Sequence, residues 1–120
     1  MPARLRPADP EAVAEVLARQ QWTPADLKFL SKHFLALLAE RAPGRSVEVR
    51  VPPYAAAQVV EGVRHTRGTP PAVVETDPET WIALATGALD WSTAVDEGRV
   101  RASGERTDLA PYLPLVEVAP

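Results

Sequence analysis

Between Thr23 and Val51 the spacing of apolar residues changes from that of a helix to that of a strand. That change excludes an all-helical and an all-β fold alike. Leu27, Leu30, Phe34, Leu37 and Leu38 form one stripe at three- and four-residue intervals, with Lys28 and Lys32 outside it. The pattern predicts a helix over about 24–42, ended by Pro43-Gly44. Val47, Val49 and Val51 then alternate with Glu48 and Arg50, the signature of a strand with one buried face. Phe29 falls on the far side of the helix near His33 and Glu40, so either a neighbouring helix covers it or it is exposed. His33, on the outer half, reads as a solvated surface histidine rather than a catalyst.

The 13 prolines are placed in an orderly way. Asp9-Pro10, Thr23-Pro24 and Asp77-Pro78 each set an N-cap residue before a proline at the first helical position. There the side-chain oxygen satisfies an orphan N–H, and the donor that proline lacks is not missed. The first helix, about 10–20, places Val13, Val16 and Leu17 on one face. After Pro52-Pro53 a second strand runs from Tyr54 to Glu61 and pairs antiparallel with the first. A polar loop spans Arg64 to Pro71, and Ala72 to Glu75 make a third strand. A helix from Pro78 to Thr86 is bounded by Asp77 and Gly87, with Trp81, Leu84 and Ala85 inward. A short helix, about 91–97, is capped by Asp90 or Ser92 and closed at Gly98. Val100 and Ala102 alternate with arginines in a strand ending at Gly104, and a last short helix, about 108–113, carries Leu109, Tyr112 and Leu113. The order α-α-β-β-β-α-α-β-α predicts an α+β domain over 10–120, with 1–9 a flexible N-terminal tail.

Composition narrows the function. Of 120 residues, 46% are hydrophobic and 24% charged, which is globular rather than disordered. A chain of this size buries about two-thirds of its surface on folding. A net charge of −3 disfavours non-specific nucleic-acid binding, which relies on basic surface. The absence of cysteine excludes disulfides and thiolate chemistry, and two histidines leave little for a zinc site. The first ten residues show no signal-peptide pattern, and the longest greasy run, Phe34 to Ala39, is too short to span a bilayer. The expectation is a soluble, cytoplasmic protein. No nucleophile elbow, phosphate loop, dinucleotide fingerprint or zinc-protease helix is present. Neither an enzyme nor a cofactor is expected.

Two segments carry candidate binding groups. The loop Glu61 to Thr69 gathers Arg64, His65 and Arg67 with two hydroxyls, a set that can clamp a phosphate or carboxylate. On its residues alone it reads first as a solvated hairpin loop whose arginines pair with Glu61, Glu75 or Asp77, because loops are polar whether or not they bind. The segment Asp77 to Gly104 turns Trp81, Leu84, Leu89, Ala94, Val95 and Val100 toward one interior, and such a set is ordinarily core.

Asp77-Pro78-Glu79-Thr80-Trp81 through Gly104, with Gly87, Ala94, Gly98 and Gly104 as its frame, resembles the end of a sterol-carrier-protein type-two domain. Val49-Arg50-Val51-Pro52-Pro53-Tyr54 and Arg64-His65-Thr66-Arg67-Gly68-Thr69-Pro70-Pro71 resemble its bacterial branch, and the likeness runs over about residues 24 to 115. The resemblance implies a mixed, mainly antiparallel sheet of about five strands covered by helices, enclosing an apolar tunnel for acyl chains or sterols. A fifth strand is sought around Glu61 to His65 or in Leu115 to Val118. It implies non-enzymatic binding or transfer of a hydrophobic small molecule. On that reading Trp81, Leu84, Trp91, Val95, Val100 and Leu109 line the site, and Arg64, His65 and Arg67 contact an anionic head group. The alternative is a protein-interaction or accessory module that keeps the fold without a lipid-sized cavity. The chain departs from its relatives in small residues at Val100 and Ala102, in the thin strand at Ala55-Ala56-Ala57, and in a final helix interrupted by Pro111 and Pro114.

Overall fold

The computed structural model describes residues 5–62 and 72–116. Two helices open the chain, α1 (Pro10–Leu17) and α2 (Pro24–Arg41). Three strands follow, β1 (Val47–Val51), β2 (Ala55–Val59) and β3 (Ala72–Thr76), then α3 (Pro78–Thr86), α4 (Trp91–Asp96) and β4 (Val100–Ser103). The expected last helix is a single 3-10 turn, Ala110–Tyr112. The three proline-led helix starts are capped as the sequence predicts. Asp9 accepts from the Ala12 N–H, Thr23 and Asp26 form a reciprocal capping box, and Asp77 accepts from the Thr80 N–H.

The sheet has the order β2-β1-β3-β4. β1 pairs antiparallel with β2 and parallel with β3, and β3 pairs antiparallel with β4. The sheet is mixed and mainly antiparallel, with four strands among the described residues where about five were expected. Glu61-Gly62 and Leu115-Val116 are not strands, and the rest of both segments sought for a fifth lies outside the described residues. Register brings Val49 opposite Ala57 on one side and Val74 on the other, so Val47, Val49, Val51, Val59, Ala72, Val74 and Val100 share the buried face. Glu48, Arg50, Gln58, Glu75 and Arg101 occupy the other face, where Arg50 donates to Glu48.

Helix α2 is the hub, packing against β2, α3 and α1. Leu30, Phe34, Leu35 and Leu38 are fully buried along it. Each such side chain is worth about 1.5–3 kcal/mol of transfer free energy. His33, read as solvated, is only 6% exposed. Its Nδ1 accepts a hydrogen bond from the Ala8 N–H at 2.9 Å, and its ring meets Phe34 edge-on. Leu5 and Ala8, placed by sequence in a flexible tail, pack on the core. This segment and its neighbours bury the helix on sides that the stripe alone leaves outward, and Phe29 is half-buried with them.

One backbone feature fixes where β2 ends. Val60 is buried in the left-handed region at φ 66°, a conformation rare for a β-branched residue. Its N–H donates to Ala42 O at 2.7 Å, and its carbonyl accepts from the Ser46 N–H and hydroxyl. Gly44 lies so close that a Cβ there would sit 2.2 Å from the Val60 carbonyl carbon. The strained residue is thus held from both sides.

Candidate functional site

Past β3 the elements become short and their packing leaves space. Helix α3 ends at Gly87, whose φ of 81° supplies the left-handed cap. The chain turns through Leu89 and Asp90 into the six-residue α4. From Leu109 onward it returns in irregular conformation and lies back along α3. Leu115 and Val116 both donate backbone N–H groups to Ala85 O, at 2.8 and 3.3 Å. Arg41, in the last turn of α2, closes the arrangement from outside. Its Nη1 donates to Tyr112 O at 2.9 Å and Pro114 O at 2.7 Å, and its Nη2 to Leu115 O at 3.1 Å.

Between these pieces is a pocket of about 280 Å³ lined by Leu84, Gly87, Leu89, Asp90, Trp91, Ser92, Ala110, Leu113 and Pro114. Leu84 is supplied by α3, Trp91 and Ser92 by α4, and the last three residues by the returning segment. A Cβ on Gly87 would stand 3.4 Å from Pro114, an ordinary contact, so it is the positive φ and not the space that calls for glycine here. The polar groups sit together at one side. Asp90 holds the N-cap position of α4 but makes no cap hydrogen bond. Its Oδ2 accepts from the Ser92 and Thr93 hydroxyls instead, each at 3.1 Å.

The structure thus brings two of the six expected lining residues, Leu84 and Trp91, to one pocket. Trp81 lies in the main core, and its indole Nε1 donates to Ser31 O at 3.3 Å. Val100 and Leu109 are buried in that same core, while Val95 is 43% exposed. Arg64, His65 and Arg67 lie outside the described residues. Leu89, Leu113 and Pro114 were not singled out as lining residues. Leu113 was legible as apolar, but nothing in its spacing says that an irregular segment would lay it against α3.

A second cleft, about 340 Å³, is lined by Pro52, Glu75, Thr76, Asp77, Gly98, Arg99 and Arg101. Its polar groups are largely committed to the fold. Asp77 accepts from Thr80 through both backbone and hydroxyl. Burial works against its ionisation, yet these bonds and the Arg99 charge outweigh burial and hold its carboxyl below the usual range. Arg99 donates to the Thr80 hydroxyl and accepts from Thr76 at its carbonyl. Among the described residues no three His, Asp or Glu side chains converge to hold a metal ion, and no helix is long and apolar enough to cross a membrane.

The model of a protein family described as "Bacterial SCP ortholog" matches residues 24–115, which takes in α2, the whole sheet and all nine residues that line the pocket beside α3. No curated protein matches the chain.

Proposed function

The chain belongs to the bacterial family of sterol-carrier-protein orthologues, and from that premise we propose that it binds a hydrophobic small molecule in the pocket between α3, α4 and the returning segment. The observation that carries the reading is the pocket's make-up: Leu84, Leu89, Trp91, Ala110, Leu113 and Pro114 supply apolar walls, and polar atoms make up nearly half of the lining. Concave, mainly apolar sites with few polar groups are the usual form of small-molecule sites, at about 300–1,000 Å³. A volume of about 280 Å³ is at the small end, so the occupant is a short chain, a ring, or the end of something longer. The role is carriage without bond-making. Trp91, a lining residue, touches the occupant.

The accessory-module reading draws on a different observation. The space between α2, α3 and the sheet is filled by Leu30, Phe34, Leu38, Trp81 and Ile82, all 1% exposed or less. On that reading the domain presents surface and carries nothing.

The deciding experiment is native mass spectrometry of the purified protein together with tryptophan emission during titration with a medium-chain alcohol. Binding gives a co-purified or added mass, an emission shift lost in Trp91→Phe, and stabilisation of about 2.7 kcal/mol at a hundredfold excess over the dissociation constant. An unchanged mass, emission and melting temperature would leave the accessory module.

A further inference from the structure

The polar side of the pocket carries a sign. Asp90 is the only ionisable residue among those lining it. Both nearby hydroxyls donate to the same carboxylate oxygen, Oδ2, and among the described residues none donates to Oδ1. A second carboxylate is bonded to the pocket residue Ala110, whose N–H donates to Asp108 Oδ1 at 3.0 Å. The nearby cation, Arg41, is outside the lining and donates to three carbonyls of the returning segment; its charge remains and partly offsets the carboxylates from that side. An apolar body placed against Trp91 and Leu113 therefore meets, at the pocket's polar side, an acceptor and a negative charge. A fatty-acid carboxylate would meet like charge there, and a protonated amine its complement.

We infer that the pocket selects a small hydrophobic amine, with the ammonium on Asp90 Oδ1 and the apolar part between Trp91, Leu89 and Leu113, and disfavours the matching carboxylate. This rests on the proposal that the pocket binds hydrophobic molecules at all. Asp90 is exposed, so the attraction is that of a solvated pair. An exposed ion pair is worth a factor of about 2–5, and like-charge repulsion takes a similar factor from the acid. Together they separate amine from carboxylate by about tenfold.

The test uses three ligands of one chain length, decylamine, decanol and decanoate, titrated into the full chain at pH 7.5 below their aggregation thresholds and followed by calorimetry. At that pH the amine is cationic and the acid anionic. The expected order is amine, alcohol, acid, with about tenfold between the ends. Asp90→Asn, or half-molar salt on the unaltered protein, should bring the three together. If the alcohol binds but decanoate equals or exceeds the amine, the charge assignment is overturned while the hydrophobic site stands. The same holds if Asp90→Asn leaves the ratio unchanged. If none of the three binds, both readings fall.

Discussion

The two halves of the buried interior use the same kinds of side chain and reach different ends. Under the sheet, long regular elements meet: the α2 positions Leu30, Phe34, Leu35 and Leu38 and the β1 positions Val47, Val49 and Val51 are all fully buried. Past β3, Leu84 is fully buried, but Leu89, Trp91 and Leu113 are half-exposed and line a pocket. Apolar content does not separate the regions; element length does. An eighteen-residue helix over a registered sheet repeats its contacts every turn. A six-residue helix and a 3-10 turn cannot, and the volume they leave unfilled is the pocket.

Substitutions that remove equal amounts of side chain should therefore give unequal losses. Phe34→Ala should destabilise by about 3–5 kcal/mol in urea unfolding, since the site cannot collapse. Trp91→Ala, though larger, should cost clearly less; equal costs would erase the distinction. Next in size is a glycine pair. Gly104 has φ 95°, and a Cβ there would lie 2.8 Å from the Ala72 Cα and Cβ. Gly98 has φ 72° but open space around it. Alanine should cost about 1–2 kcal/mol at Gly98 from the backbone alone, and more at Gly104, where the packed sheet adds a clash.

Arg41→Ala should cost about 1–2 kcal/mol, because its charge-assisted bonds are mostly exposed. It should also raise amide exchange at Leu115 and Val116 while leaving β1 protected, and uniform loosening would argue against two separable regions. A further effect is read against pH. Burial lowers the His33 pKa, with Glu40 partly opposing. The folded protein thus resists the proton that the unfolded chain accepts. Stability from this group is full above about pH 6.5 and is lost as pH falls below that value toward the lowered folded pKa. His33→Gln should flatten that part of the profile; an unaltered slope would place its origin elsewhere. Last, the Ser31 hydroxyl is fully buried and has no hydrogen-bond partner among the described residues. Ser31→Ala should be neutral or stabilise by up to about 1 kcal/mol, which would mark the packed half as one where polarity contributes nothing.

The difference between the halves also explains what could be read in advance. Leu30, Phe34, Val47 and Val49 were legible because a long element repeats its burial, and the period shows through any single exception. Asp9, Thr23 and Asp77 were legible because a cap is local, its donor three residues away. His33 was misread because its cover comes from Ala8, twenty-five positions away in sequence, in a segment of prolines and arginines with no period of its own. The lining residues Leu113 and Pro114 follow the same logic. They sit in irregular backbone, and what places them is a set of carbonyls in the grip of Arg41, which no spacing rule encodes.

The Arg41 bonds join residues 71, 73 and 74 positions apart. Contacts that span so much chain come late in any order of assembly, since the loop must close before they are rewarded. During synthesis α1, α2, β1 and β2 can associate while the rest is still unmade, but the pocket has no far wall until Leu115 has emerged. A chain arrested or clipped before that point would keep the packed half and expose Leu84 and Trp91. In such a fragment the apolar side chains that line the pocket would be offered to other chains.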